Sequence, residues 1–403
     1  MPNPPLVSVI VLAYDHEPFL GDALDGIVAQ RVDFPVEIIV GEDCSKDGTL
    51  AVAERYRAQY PDLIQIVTSP DNVGAIRNLH RCVAAARGEF IAFCEGDDWW
   101  TDPDKLAKQV QLMTPDVGLV HADLAIARPL AGPGWHVDRV SVHCGRDPAT
   151  LQGEMFASVI RRLDVKTCTT LYRRIVIEQA LQTPLGDPHH VLFDYSAAVF
   201  CAASWRIAYL EEVVAVYRLN PVSATRGSFA KKVAFLRGVV AVYGEFERMF
   251  GDRADFDSKA VGWAHEALAK AAFLALDAAA LSEALAGLRT SKPGAARSPA
   301  MLLRRLLASV PPVQAVVVGW WNRRQERRAT ERAAQEAEVE AAVRSRFGYF
   351  PNYPPARPDA AHGGRVRPDL NCAGAMGPHA QSMEPHDRPT ALTQNPKTGP
   401  PRM

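Results

Sequence analysis

The sequence predicts an α/β fold: a mainly parallel or mixed central sheet with helices on both faces, followed by a helical extension. Two observations carry that prediction. Four short apolar, largely β-branched runs near the N-terminus alternate with segments of helical periodicity, the pattern of parallel strands joined by crossover helices. From residue 229 to about 288 the chain turns Ala- and Leu-rich with helical spacing and loses its strand signals.

The elements follow in order. Residues 7–12, Val-Ser-Val-Ile-Val-Leu, read as a strand buried on both faces. Tyr14 to Pro18 interrupts it, and 19–28 carries apolar residues at helical spacing. A second strand at 36–40 ends in the polar turn 42–49, after which 50–60 reads as helix. A third strand at 64–67 precedes a turn at 71–74, a helix at 75–86 and a fourth strand at 90–94. Ligands of parallel sheets collect at the carboxyl ends of the strands, so Glu42-Asp43 and Glu95-Gly96-Asp97-Asp98 are expected on one edge. Between 115 and 228 strands are expected near 117–120, 169–172 and 206–217, and helices at 154–162 and 193–203. Ser291-Lys292-Pro293-Gly294 reads as a linker, and 327–346, rich in Ala, Glu and Arg, as an exposed helix. We expect an α/β domain over 1–228 and a helical extension over 229–350. The Pro/Gly-rich tail over 351–403 is expected to be disordered, since it cannot bury enough apolar surface to fold.

Composition narrows the function classes. Of 403 residues, 45 are Lys or Arg and 46 Asp or Glu, a balance that offers no basic field for nucleic acid. No apolar run reaches the ~18–20 residues of a membrane-spanning helix. Met1 to Pro5 has none of the basic and apolar pattern of a signal peptide. Seven scattered cysteines without a Cys-x-x-Cys pair read as reduced thiols. The expected location is cytoplasmic. The stretch 302–328 combines apolar residues, Trp320 and Trp321 with bordering arginines, a composition suited to peripheral contact with the inner face of a membrane. Packing against the helical extension is the alternative.

The chemistry concentrates at Glu95-Gly96-Asp97-Asp98. Three carboxylates within four residues repel one another unless a cation sits among them. Hard oxygen ligands suit Mg²⁺ or Mn²⁺, ions that keep waters and share substrate phosphates, and a metal there would neutralise a diphosphate leaving group. A solvated acidic loop capping a helix after Asp102-Pro103 is the structural alternative. Asp43, at a second strand end on the same edge, favours the ligand-binding reading.

Taken together, four blocks resemble family 2 glycosyltransferases. They are residues 7–15, the turn Glu42 to Thr49, Asn72-Val73-Gly74 with Arg77-Asn78, and Gly88 to Ile91 leading into Glu95-Gly96-Asp97-Asp98-Trp99-Trp100. The resemblance covers about the first 110 residues. It implies a GT-A fold, a nucleotide-diphospho-sugar donor, a divalent metal, and transfer with inversion at the anomeric carbon. Position by position, it implies that Tyr14 and Glu17 wall the nucleotide and that Asp43 reads the base. A carboxylate there can accept from a uracil-type ring N–H, which points to a UDP-linked donor. Arg77 lies in the block that approaches the nucleotide or its phosphates. Asp97 matches the metal-binding end of the Asp-x-Asp motif, with Asp98 beside it as a second metal ligand. Here the motif's first acid is Glu95, and Leu12-Ala13 and Asp15 replace the usual Pro-Thr and Asn around the tyrosine.

An inverting transfer needs a base for the acceptor hydroxyl. The resemblance implies Asp194, ahead of an Ala-rich segment and a further strand. Asp187 in Leu-Gly-Asp-Pro is the rival, and a helix N-cap is the structural alternative for Asp194. Arg218 is a candidate phosphate or acceptor contact, and Thr169 in Lys166 to Thr170 a candidate acceptor contact. A surface ion pair and plain strand propensity are their respective alternatives. His121 with Asp123, and His189-His190, lack zinc-site spacing. The implied acceptor is a hydroxyl of a polysaccharide, a lipid-linked glycan or a surface glycan. A sugar nucleotidyltransferase would need a Gly-rich basic loop where Leu12 to Glu17 stands. A non-catalytic carbohydrate- or partner-binding module has no reason to keep mutually repelling acids.

Overall fold

The computed structural model describes residues 4–130, 134–138, 141–161, 165–220, 228–324 and 327. The tail at 351–403, and the helix expected at 327–346 beyond its first residue, lie outside the described residues.

The first half runs β1 (Val7–Ala13), α1 (Leu20–Val28), β2 (Val36–Glu42), α2 (Thr49–Gln59), β3 (Ile64–Val67), α3 (Ala75–Ala85) and β4 (Phe90–Phe93). Each strand and helix expected up to residue 94 is present. Then come β5 (Trp99–Trp100), α4 (Lys105–Gln111), β6 (Val117–Pro129), β7 (Trp135–Val137), α5 (Phe156–Val159), β8 (Leu171–Arg173), α6 (Arg174–Gln182), α7 (Phe193–Ala202) and β9 (Arg206–Arg218). The sheet order is β3-β2-β1-β4-β8-β6-β9-β5, with β7 on β6. The first four strands are parallel, β8 runs antiparallel to both neighbours, and β6 is parallel to β9. The mixed α/β sheet followed by a helical extension is the expected architecture.

Alternation along β1 explains the two layers. Val7, Val9 and Val11 pack with Leu20, Ala23, Leu24 and Ile27 of α1 on one face. Ile10 packs with Ile76, Leu79, Cys82 and Val83 of α3 on the other. A strand covered on both sides must be apolar throughout, which is what made these runs readable.

Several expectations needed correction. The Thr-bearing segment expected as a strand from 169 is a 3-10 turn over Thr167–Thr169, with β8 starting at Leu171. The helix expected at 154–162 is the four-residue α5, and its last expected residue lies outside the described ones. The linker at 291–294 is a junction between helices, since α10 runs to Ser291 and α11 begins at Pro293. Proline suits the first position of a helix, where its missing N–H would be unpaired anyway.

The extension comprises α8 (Phe229–Phe250), α9 (Lys259–Leu274), α10 (Ala278–Ser291), α11 (Pro293–Ala296) and α12 (Pro299–Ala308), with further helix at 311–324. Val242 and Phe246 of α8 join the core layer of α7, and Tyr195 packs edge-on against Phe246 at 5.6 Å. The helix carrying Asp194 is thereby braced from behind.

Candidate active site

The β1–β2–β4 register brings Ala13 beside Glu42 and Ile10 beside Phe93, so three strand ends open on one edge. The Gly96 N–H donates to Leu12 O at 2.9 Å, seating the acidic turn against the end of β1. A Cβ on Gly96 would meet His16 Nδ1 at 2.6 Å, so glycine permits that approach. Asp15 and Cys44, which follow β1 and β2, have left-handed φ of 53° and 56°. Leu192, two residues before Asp194, has φ 62°. Such backbone costs of order 1–3 kcal/mol per residue and gathers at functional sites.

The loops after β1 and β2 interlock. Glu17 Oε2 accepts from Gly48 N–H at 2.8 Å, and Asp15 Oδ1 from Lys46 N–H at 2.8 Å. Glu17 is thus committed to holding the wall together, and Tyr14 is left exposed beside it. Asp43 is only 3% exposed. Its oxygens accept from Val73 N–H at 2.8 Å and Gly74 N–H at 2.9 Å, so it pins the turn that starts α3. A carboxylate oxygen has two lone pairs, so each keeps one for a further donor.

The acidic turn divides its labour. Asp98 is fully buried and takes the Arg218 backbone N–H on Oδ1 at 2.8 Å. Asp97 has a side chain 18% exposed and lies 3.9 Å from His16 Nε2. The acid facing outward is therefore Asp97, with Asp98 sealed beneath it. Burial, then the Asp97 and Glu95 charges, pushes the Asp98 carboxyl well above its usual range. Burial, then the Asp194 charge, with Asp97 adding to it, pushes Glu95 up to about 8. Glu95 Oε2 is buried without a hydrogen-bond partner. Burial lowers His16 against the pull of Asp97, so this imidazole is a poor counter-ion.

Asp194 is in the first turn of α7 and accepts from the Thr167 hydroxyl at 3.1 Å. The same Thr167 side chain hydrogen-bonds Glu95, so acids 99 positions apart in sequence meet on one threonine. Asp187 caps its own turn through His189 N–H at 2.8 Å and lies with Arg77, Val73 and His80 in an open groove of about 720 Å³. Arg77 is thus beside the Asp43-pinned turn and not among the acids of the 95–98 turn.

Two candidate contacts are placed differently from expectation. Arg218 is 2% exposed. Its guanidinium donates to Asp97 O at 2.9 Å and pairs with Asp22, and it lies 4.1 Å from the centroid of the Trp99 ring. It holds the acidic turn through a backbone carbonyl at Asp97 and ties that turn to the Asp22 carboxylate of α1. Thr169 is fully buried and donates to Lys166 O at 2.7 Å, which leaves its hydroxyl turned away from the cleft.

Sequence reasoning missed the support beneath the site. Lys105 Nζ is fully buried, donates to Gln109 Oε1 at 2.7 Å, and lies 4.0 Å from the Trp100 ring centroid. Gln109 Nε2 donates to Thr169 O at 2.7 Å, and Trp100 Nε1 to Cys168 O at 2.8 Å. Both bonds fix the turn whose Thr167 holds Asp194. Lys-Leu-x-x-Gln after the acidic turn was the available signal: a charge and an amide on one helix face. Among the described residues no group of three or more His, Cys, Asp or Glu side chains is arranged to hold a metal by itself.

Residues 8–177 match the family model for glycosyl transferase family 2. The uncharacterized protein Rv1520 of Mycobacterium tuberculosis is 33% identical over 220 residues, 53% of this chain and 58% of that protein. The putative glycosyltransferase EpsH of Bacillus subtilis is 28% identical over 221 residues, 54% of this chain and 61% of that protein. The chain thus spans less than two thirds of the length of either relative. The structure of S. aureus TarS 1-349 in complex with UDP-GlcNAc aligns over 79% of this chain and 92% of that one, at 17% identity and a TM-score of 0.48.

Proposed function

We propose that this chain, whose residues 8–177 match the family model for glycosyl transferase family 2, is an inverting, metal-dependent transferase that moves a sugar from a nucleotide diphosphate to an acceptor hydroxyl. The observation that carries this reading is the meeting of Glu95, Asp97 and Asp194 at one strand edge. Half-buried acids so close together, one with a buried, unpartnered oxygen at Glu95, suit a site completed by a cation. The protein donors are few, which fits Mg²⁺ or Mn²⁺ better than an ion needing a full protein cage. Asp97 is the ligand we assign to that ion, with Asp98 fixing the turn beneath it. When bound, the ion supplies charge neutralisation for a departing diphosphate.

The chain's own residues do the rest. Asp43 and the loop of Tyr14 and Glu17 hold the nucleoside, with Arg77 at its rim. Asp194, oriented by Thr167, accepts the proton of the acceptor hydroxyl as its oxygen bonds to the anomeric carbon. The bond from that carbon to the phosphate oxygen breaks, and the electron pair leaves with the nucleoside diphosphate. Asp43 favours a uracil base, hence a UDP-sugar. The acceptor is a polysaccharide, lipid-linked or surface glycan.

Donor hydrolysis across a panel of nucleotide sugars tests it, with Mn²⁺, Mg²⁺ or EDTA, beside Asp97→Ala and Asp194→Asn. Metal-dependent release of one nucleoside diphosphate, lost in Asp97→Ala, is expected. Asp194→Asn should keep donor affinity while transfer falls by about 10²–10⁴. If no nucleotide sugar binds in calorimetry with metal present, the transferase reading is wrong.

A further inference from the structure

We infer that α12 and the helix at 311–324 dock this protein on an anionic lipid surface. The first observation is charge. From residue 284 to 325 there are seven Lys or Arg and no Asp or Glu, in a chain whose net charge is -1. The stretch is therefore locally basic; Lys292 is paired with Glu266, while Arg297, Arg305, Arg323 and Arg324 are exposed.

The second observation is the double-sided apolar character of the two helices. Their inner face is already docked: Met301 and Val318 are buried in the core of the extension, and Gln314 Nε2 donates to Phe273 O at 2.9 Å. Their outer face is apolar as well. Leu302, Leu303, Leu306, Val313, Val316 and Trp320 are all exposed, from 45% at Val313 to 69% at Val316. A helix face that only met water would have no reason to carry these side chains at helical spacing. Arg305, Arg323 and Arg324 are exposed beside them, and Arg324 lies 5.2 Å from the Trp320 ring centroid. Apolar residues with a tryptophan, bordered by arginines, match the two layers of a lipid interface: acyl chains inside, anionic headgroups outside. Among the described residues no helix is long and apolar enough to cross a membrane, so the contact is one of lying on the surface.

The inference does not depend on transfer chemistry, so its failure and that of the proposed function are separable. The test is sedimentation of the full chain with vesicles of phosphatidylcholine alone or mixed equally with phosphatidylglycerol, at low and high salt. Two surface variants accompany it: Leu303→Glu/Leu306→Glu/Val316→Glu, and Arg304→Gln/Arg305→Gln/Arg323→Gln/Arg324→Gln, with circular dichroism to verify folding. Binding to the anionic vesicles, weakened by salt, is expected. Losing four charges should reduce it on the order of a hundredfold or more, and the glutamate variant should abolish it. Absence of wild-type binding to anionic vesicles would overturn the inference, as would binding untouched by both variants. A dimer dissolved by the glutamate variant, without vesicle binding, would assign the face to a second copy of the chain instead.

Discussion

The backbone N–H of Arg218 donates to Asp98 Oδ1 across 2.8 Å, joining residues 120 positions apart. The last residue of β9 thereby anchors the turn after β4. The side chain of Arg218 adds Asp97 O and Asp22 to the same hold, so the two halves of the domain meet beneath the candidate metal ligand.

Arg218→Met keeps the backbone bond and removes the side-chain pair. Asp22 is 31% exposed, so water relieves part of its lost partner. We expect a destabilisation of about 2 kcal/mol, read from urea unfolding midpoints, and a weaker response of nucleotide-sugar binding to Mn²⁺.

Gly96→Ala should displace the acidic turn. The added Cβ meets His16 Nδ1 at 2.6 Å and Leu12 O at 3.1 Å, and the carbonyl cannot yield without shifting β1. A loss of about 1–3 kcal/mol is expected, with impaired metal-dependent donor hydrolysis. Gly244→Ala, where a Cβ meets nothing within 4 Å, should be neutral or stabilising by up to about 1 kcal/mol. Thermal unfolding of the two variants side by side checks the contrast.

Lys105 gives a pH signature. Burial lowers its ammonium from the ordinary 10.5 to about 7. Between those values the unfolded chain binds a proton that the folded chain does not, so this group makes stability rise as pH rises from about 7 to about 10.5. The contribution is on the order of a few kcal/mol across that window. Lys105→Met should flatten the slope in urea titrations run at several pH values. If it also leaves the Thr169 turn loose, transfer should fall while donor affinity holds.

Asp43→Ala removes the acceptor of two backbone N–H groups, at Val73 and Gly74. A cost of about 2 kcal/mol and weaker UDP affinity are expected, whereas Asp43→Asn, which keeps one acceptor oxygen, should recover part of the stability. Calorimetry with UDP and Mn²⁺, together with unfolding curves, separates the two effects.

The strands of the parallel half could be read directly because burial on both faces leaves continuous apolar runs, and each crossover helix shows its own period. β5 and β7 could not be read, being two and three residues long and held by pairing with β9 and β6. The thirteen-residue β6 was read only at its start. Its distal part, with Asp123, Ala125 and Ala127, owes its strand form to β9 and β7.

The sequence by itself determined the α/β class, the strand edge where the acids gather, and the candidate acids Asp43 and Asp97. These follow from periodicity, from local spacing and from four motifs in order. Asp194 came only with the family resemblance, beside Asp187. Only the tertiary structure decided which of those side chains face the cleft. Asp97 looks outward while Asp98 is sealed by Arg218. Thr169 turns inward while its neighbour Thr167 reaches Asp194. Exposure and partner choice depend on strands brought together from distant positions, and no local pattern encodes which of two adjacent residues a remote strand will cover.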